Sequence, residues 1–203
     1  MEQYSDEWWA ARLGKATASK ISDIMAKTKS GYSASRKNYE AALIAERLTG
    51  ISPPSFTNAA MQWGTDNEEG ARDAYIFETG NKVEEVGFID HPLIPMSGAS
   101  PDGLIDGGVL EIKAPNTATH METLLNKKIP KKYQCQMAWQ IACCEGATFG
   151  DFVSYDPRLP DSMSLVIIRY EPDADYIAEM EAEVSEFIRD CDIKLNKLRE
   201  MYP

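Results

Sequence analysis

The chain has 203 residues, which suits one domain or at most two small ones, and we expect a single domain over 1–203. Hydrophobic residues make up 43% and charged residues 26%, a composition that excludes a disordered chain. No run of about 20 apolar residues is present, and the first residues lack the basic and apolar regions of a signal peptide. These features predict a cytosolic protein that does not enter a membrane.

The net charge of −11 by itself argues against nucleic-acid binding, but the charges are unevenly distributed. Residues 12–37 contain seven basic residues and one acidic residue, and residues 127–132 contain four lysines. Residues 171–200 contain ten acidic and four basic residues. The net value therefore hides a basic N-terminal part, and the acidic C-terminal part is typical of a solvated helix face.

The first 80 residues are predicted to be mainly helical, because their apolar residues recur at helical spacing. The predicted helices cover residues 6–12, a segment that begins at 17–20, residues 38–49 and residues 58–79. Gly50 and Gly80 follow the last two helices, where a glycine is the common end signal.

The periodicity changes after residue 80. Strands are predicted at 82–89, 102–106, 109–113, 149–155 and 164–170, with helices at 117–126 and 131–145 and a long terminal helix at 173–200. Strands mixed with helices in this order predict an α/β fold, in which a central mixed sheet is flanked by helices. The chain then divides into a helical part (1–80), a sheet-containing part (81–170) and a C-terminal helix (171–203).

Few side chains could hold a transition metal. The two histidines, His91 and His120, are too few for a His-rich zinc site, and no nucleophile motif accompanies either of them. The four cysteines form no CxxC motif and are expected to be buried thiols: Cys135, Cys143, Cys144 and Cys191. Any metal must therefore be held mostly by carboxylates, which favours a hard cation such as Mg²⁺ or Mn²⁺.

One Glu-x-Lys triplet stands in a context that suggests chemistry. Chance explains about two such acidic-x-Lys triplets here, and two are present, one of them (192–194) in the terminal helix. The other, Glu111-Ile112-Lys113, lies in an apolar strand after Gly107-Gly108, so Glu111 and Lys113 share one face of the sheet. A hairpin would bring Asp102 to the same end. Two carboxylates and a lysine suit a metal-assisted hydrolytic site; the alternative is a surface Glu–Lys pair with an unrelated turn Asp.

Two helices carry polar groups that could join this site. Glu68 lies inside the helix at 58–79. Tyr133, Gln136 and Gln140 fall on one stripe of an otherwise apolar helix. Such a stripe faces either a site or solvent.

At these residues the sequence resembles the lambda-type phage exonucleases, or YqaJ-like viral recombinases, of the PD-(D/E)xK nuclease superfamily. The resemblance runs from about Trp8 to Tyr170, and its segments occur in the family's order. They are Trp9…Arg12-Leu13-Gly14…Thr17-Ala18-Ser19, Trp63-Gly64…Glu68, Ser100-Pro101-Asp102-Gly103, Leu110-Glu111-Ile112-Lys113-Ala114-Pro115, Tyr133…Gln136 and Tyr155-Asp156-Pro157-Arg158. The family implies a restriction-endonuclease-like core.

The resemblance also implies residue roles. Asp102, Glu111 and the Ile112 carbonyl would bind metal, with Glu68 at the edge of the site. Lys113 would orient or deprotonate the attacking water, and Gln136 would hold the lysine and the water in place. A terminal 5′-phosphate would bind Arg12, Ser19 and Ser100, a residue set that supplies a bidentate guanidinium and hydroxyl donors. Met61 falls where the family has an apolar wedge that splits the end base pair, and Lys29 where it has a basic DNA contact. A buried Met and a solvated Lys are the alternatives for these two.

The family implies a Mg²⁺-dependent exonuclease, with Mn²⁺ as a substitute, that degrades one strand of linear double-stranded DNA from its 5′ end to mononucleotides. It further implies a homotrimeric ring, a single-strand annealing protein as partner, and a phage or prophage origin in the bacterial cytosol. An iron–sulfur branch of the superfamily needs a cysteine ahead of the catalytic core, whereas all four cysteines here follow Lys113. The alternative from another class is a non-catalytic nuclease-fold binding module or a DNA-mimicking phage inhibitor.

Overall fold

A computed structural model describes residues 1–52 and 58–203. The helices are α1 (Asp6–Arg12), α2 (Ile21–Met25), α3 (Ala34–Thr49), α4 (Ala59–Thr79), α5 (Thr117–Asn126), α6 (Lys131–Cys143), α7 (Asp161–Ser164) and α8 (Ala174–Met201), with a 3₁₀ turn at Ala18–Lys20. The strands are β1 (Ala16–Thr17), β2 (Lys27–Thr28), β3 (Gly31–Tyr32), β4 (Ile89–Asp90), β5 (Ser97–Ala99), β6 (Gly103–Ile105), β7 (Gly108–Lys113), β8 (Phe149–Tyr155) and β9 (Leu165–Tyr170).

The largest sheet has the order β6-β7-β8-β9. Its central pair β7–β8 is parallel and the two outer pairs are antiparallel, so the sheet is mixed. A second sheet has the order β1-β5-β4, and β2 pairs with β3. The predicted fold, a mixed sheet flanked by helices, is confirmed.

Helices cover both faces of the largest sheet. Ala71 and Tyr75 of α4 pack against Leu110 and Ile112 of β7 on one face. On the other face, Met137 of α6 packs against β8. Strand alternation places Glu111 and Lys113 on one face, as the sequence predicted, and the structure shows that this face is the one covered by α6.

A separate helical core joins α2, α3, α6 and α8. It includes Ile21, Leu43, Trp139 and Phe187, each of them almost fully buried. Burial of large apolar side chains is the main source of stability in such a core. All four cysteines are buried free thiols, as predicted.

Several boundaries differ from the sequence-based ones for local reasons. The helix predicted at 38–49 begins at Ala34, because the Ser33 side chain accepts from the Arg36 amide and caps it. The helix predicted at 131–145 ends at Cys143. The strand predicted from residue 164 begins at Leu165, since Asp161–Ser164 forms a helical turn.

The strand predicted at 82–89 is wrong. Only Glu84 forms a bridge there, exchanging both backbone hydrogen bonds with Leu104 (2.9 and 2.8 Å), and β4 begins at Ile89. The partner strand β6 has only three residues, so it offers no further groups with which 82–89 could pair. Alternation alone could not reveal that the partner was so short.

In the described parts of the chain, none of the helices combines the length and apolar character that crossing a membrane requires.

Candidate active site

Glu111 is the buried centre of the site. It lies in the apolar strand β7, and its side chain has no solvent exposure. Gln136 Nε2 donates to Glu111 Oε1 (2.7 Å), and Gln140 Nε2 donates to Oε2 (2.6 Å). The polar stripe of α6 therefore faces the sheet rather than solvent. Because burial disfavours the charged form, the pKa of Glu111 is raised, although Lys113 opposes this shift.

The hairpin brings Asp102 to Glu111. Gly107 closes the turn with a φ of +70°, which a glycine adopts without steric penalty. The Asp102 amide donates to the Leu110 carbonyl (3.0 Å), and the Ile112 amide donates to Asp102 Oδ2 (2.6 Å). The predicted pairing of β6 with β7 thus fixes the Asp102 carboxylate beside the backbone of the Glu-x-Lys triplet.

Lys113 joins the two carboxylates. Its Nζ donates to the Ile112 carbonyl (2.7 Å), and it lies 2.5 Å from Glu111 Oε1 and 3.8 Å from Asp102 Oδ2. Burial alone would lower the pKa of Lys113, but the charges of Glu111 and Asp102 outweigh it and raise that pKa. The Tyr133 ring of α6 lies 5.5 Å from the ammonium.

Glu68 of α4 reaches the same region. Arg72, one turn further along α4, pairs with Glu68 (3.0 Å) and with Glu85 (3.1 Å). Glu68 and Asp102 line one cavity of about 470 Å³. Burial first, and then repulsion from Asp102, raise the pKa of Glu68. The structure therefore brings Glu68 close to the carboxylates of the hairpin without a direct hydrogen bond to them.

The donor set suits a hard cation bound with few protein ligands. The described residues contain no group of three or more His, Cys, Asp or Glu side chains that could enclose a metal. Glu111, Asp102 and the Ile112 carbonyl already converge on one positive charge, the Lys113 ammonium. Mg²⁺ is commonly held by one or two carboxylates together with water and substrate phosphate, so these oxygens fit it.

Arg12 and Ser100 form a second polar site. Arg12 Nη1 donates to Ser100 Oγ (3.2 Å), and the Trp8 indole N–H donates to the same oxygen (2.9 Å). The Arg12 guanidinium also stacks on the Trp8 ring at 4.0 Å. Trp8 was not among the predicted site residues, although its position one helical turn before Arg12 would have suggested contact.

Ser19 is less closely associated with this pocket. It lies exposed on the 3₁₀ turn after β1, and in the parts of the chain that the structure describes it forms no hydrogen bond with Arg12 or Ser100. Strand β1 pairs with β5, whose last residue precedes Ser100. The turn therefore points toward the pocket region, but only Arg12 and Ser100 are joined.

The two predicted DNA-contact residues are both exposed. Met61 lies in the first turn of α4 with 52% of its surface accessible, which contradicts the alternative of a buried Met. Lys29 lies in the turn between β2 and β3. The structure does not place either residue at the carboxylate centre.

A mixed sheet that carries two carboxylates and a lysine, with a guanidinium–hydroxyl pair nearby, suits a nuclease, and the comparisons show that the chain is one. The YqaJ-like viral recombinase domain matches residues 7–147, and the chain belongs to that family. No curated protein matches the chain.

Two solved structures have high similarity to the chain. They are crystal structures of LHK-Exo, an alkaline exonuclease from Laribacter hongkongensis, one of them in complex with dAMP. Each has a TM-score of 0.90 and 51% identity over 97% of both chains. A phage-related exonuclease from Haemophilus somnus has a TM-score of 0.75 at 14% identity, covering 91% of this chain and 96% of its own, and so shares the fold.

Proposed function

We propose that this nuclease is a Mg²⁺-dependent exonuclease that degrades one strand of linear double-stranded DNA in the 5′-to-3′ direction. It would release mononucleotides and leave 3′ single-stranded DNA for phage recombination by strand annealing. The observation that carries the proposal is the convergence of Asp102, Glu111 and the Ile112 carbonyl on Lys113, beside an Arg12–Ser100 pocket. Mn²⁺ would substitute for Mg²⁺, since both prefer oxygen ligands.

The residues of the site divide the work of hydrolysis. Asp102, Glu111 and the Ile112 carbonyl would hold the cation, which when bound polarises the phosphodiester and lowers the pKa of the attacking water. Glu68 would act at the edge, as a ligand or through water. Gln136 and Gln140 donate to Glu111 and so keep its carboxylate oriented. Lys113, which lies beside both carboxylates, would orient the water through its ammonium. To deprotonate the water instead, Lys113 would first have to lose its own proton.

The Arg12–Ser100 pair supports a 5′-to-3′ direction. Ser100 precedes Asp102 by only two residues, so a phosphate bound at Ser100 lies close to the carboxylates. A guanidinium and a hydroxyl are donors that bind a terminal phosphate tightly. If the 5′-phosphate binds Arg12 and Ser100, the next phosphodiester reaches the carboxylates and each cleavage releases one nucleotide. Ser19 would add a third donor.

The remaining family properties belong to the same proposal. We infer a homotrimeric ring around linear double-stranded DNA, a single-strand annealing protein as partner, and action in the host cytosol. Met61 would wedge into the end base pair, and exposure of its side chain is compatible with that role. Lys29 would contact the DNA backbone.

The decisive experiment uses linear duplexes labelled at the 5′ or the 3′ end, incubated with Mg²⁺ or with EDTA. In Mg²⁺ the 5′ label should appear in mononucleotides from the start of the reaction. In EDTA no labelled mononucleotide should appear. Lys113→Ala should abolish hydrolysis but retain Mg²⁺ binding. The matched control is Lys194→Ala, from the other acidic-x-Lys triplet, which lies 55% exposed on α8. Binding of DNA without hydrolysis would instead favour the non-catalytic module.

A further inference from the structure

The first four residues form one wall of the cavity that Glu68 and Asp102 line. Gln3 anchors this segment, since its Nε2 donates to the Val86 carbonyl (3.0 Å) and to the Pro101 carbonyl (2.8 Å). Pro101 directly precedes Asp102. The segment is therefore tied to the same loop that positions a proposed metal ligand.

Tyr4 has an unusual backbone conformation. Its φ is +67°, in the left-handed region that residues with a side chain rarely adopt. Burial of the ring does not account for this conformation, because 56% of the residue is exposed. A strained, exposed aromatic residue beside an active site suggests a functional contact.

Tyr4 lines the carboxylate cavity and also packs near the Arg12–Ser100 pocket. Its ring centroid is 5.2 Å from that of Trp8, the residue on which Arg12 stacks. Burial and then the charges of Glu68 and Asp102 raise the pKa of Tyr4, while Lys113 and Arg12 oppose that shift. The cavity lining and the contact with Trp8 thus place Tyr4 beside both the carboxylate centre and the guanidinium.

A strand end that occupies both parts would lie next to the cavity that Tyr4 lines. Its 5′-phosphate would bind at Arg12 and Ser100, and its first phosphodiester at Asp102 and Glu111. The nucleoside that joins these two phosphates must then lie between them. The cavity of about 470 Å³ is within the size range of small-ligand pockets, about 300–1,000 Å³.

We propose that Tyr4 is a substrate-contact residue whose exposed ring holds the terminal nucleoside of the strand being degraded. The ring lines the cavity shared with Glu68 and Asp102 and packs near Trp8, the residue on which Arg12 stacks. Aromatic rings bind bases of any sequence, which suits an enzyme that removes every nucleotide in turn. The inference rests on the proposed function, because it requires a 5′-phosphorylated strand end as the ligand.

The test compares Tyr4→Gly and Tyr4→Phe with wild type, with Tyr202→Gly as the control at a 73% exposed tyrosine. Glycine adopts φ near +67° without steric penalty, so Tyr4→Gly should unfold at the same or a higher temperature. Binding is measured in EDTA, with a blunt 5′-phosphorylated duplex as the probe. Tyr4→Gly should bind about 5- to 100-fold more weakly, whereas Tyr4→Phe and Tyr202→Gly should match wild type.

A second duplex carries a 5′-phosphorylated abasic residue at its end. Wild type should lose affinity when the terminal base is removed, and Tyr4→Gly should not, because the contact is already absent. Equal losses of affinity in wild type and Tyr4→Gly on removal of the base would overturn the proposal. So would a Tyr4→Gly variant that binds the complete duplex as tightly as wild type. A loss of affinity in Tyr4→Phe as large as that in Tyr4→Gly would also overturn it. Failure of wild type to hydrolyse DNA in Mg²⁺ would contradict the proposed function separately.

Discussion

Asp102 makes two contributions that a substitution can separate. Its Oδ2 accepts a hydrogen bond from the Ile112 amide (2.6 Å), which an asparagine oxygen could replace. Its charge, by contrast, lies close to Glu68 and Glu111, where it raises the pKa of both carboxyls. Without metal this repulsion opposes folding, whereas with metal the charge is needed.

We therefore predict that Asp102→Asn abolishes hydrolysis but leaves the melting temperature without metal unchanged or higher. The Mg²⁺-induced increase in melting temperature should disappear. A ligand of the native state at a hundred times its Kd stabilises that state by about 2.7 kcal/mol. Thermal denaturation with Mg²⁺ and with EDTA measures both effects. Asp106→Asn, at an exposed position in the turn of the same hairpin, is the control. Hydrolysis near the wild-type rate in Asp102→Asn would refute the assignment.

Arg12 is the residue on which selectivity for 5′-phosphorylated ends depends. Loss of a charged hydrogen bond weakens binding by about 1.5–3 kcal/mol, or roughly 10- to 100-fold. We expect wild type to prefer 5′-phosphate over 5′-hydroxyl ends and Arg12→Ala to lose that preference, as measured by the ratio of kcat/KM values. Lys20→Ala removes the same charge at an exposed position nearby and should retain the preference for 5′-phosphate ends. An equal preference in wild type and Arg12→Ala would exclude the pocket.

The end of strand β8 is held by an ion pair. Arg158 donates to both oxygens of Asp156 (2.7 and 2.9 Å), whose side chain is fully buried. These bonds lower the pKa of Asp156 from 3.8 to about 2. Arg158 also stacks on Trp63 of α4 at 4.2 Å. The pair therefore connects the sheet to α4, the helix that carries Glu68.

The lowered pKa predicts an acid-dependent loss of stability. The carboxylate of Asp156 stabilises the folded state above pH 4, and its contribution is lost as pH falls from about 4 through about 2. We expect a loss of about 1–2 kcal/mol over this range, discounted for the partial exposure of Arg158. Urea unfolding of wild type and Asp156→Asn at pH 5 and pH 2.5 measures it. The difference between the two proteins should shrink at pH 2.5, and a constant difference would contradict the argument.

At the scale of the whole molecule, the charges are more intermixed than their order along the chain suggests. Glu183 of α8 pairs with Lys27 and with Arg36, and Arg36 is buried. The basic segment 12–37 is therefore partly neutralised by the acidic helix rather than wholly free to line a channel. Lys29 and Lys37 remain exposed, with no ion pair among the residues that the structure describes.

An acidic protein with few free cations needs enclosure to remain on DNA, because counterion release requires many basic contacts. We predict a homotrimer ring that obeys cyclic symmetry. Raising salt from roughly 50 to 200 mM should suppress loading steeply but barely shorten the tract digested per encounter. Single-turnover digestion with a DNA trap, together with light scattering, measures these quantities. A monomer, or a tract length that falls as steeply as loading, would refute the ring.

Local patterns in the sequence determined much of this protein. Periodicity and a final glycine marked helices such as α4, which ends at Gly80. The structure adds that Asn58 caps its start by accepting from the Met61 amide. Strand alternation placed Glu111 and Lys113 on one face, and the glycine hairpin predicted that Asp102 would join them. These features depend on residues only a few positions apart, so periodicity and turn chemistry suffice to predict them.

Tertiary structure alone brings together groups that are distant along the chain. Arg12 meets Ser100 across 88 residues, and Gln3 meets Pro101 across 98. The failure of the strand at 82–89 depends on the length of its partner β6. Such contacts depend on which strands pair and which helices pack together across the entire chain. A pattern of residues a few positions apart does not determine those pairings.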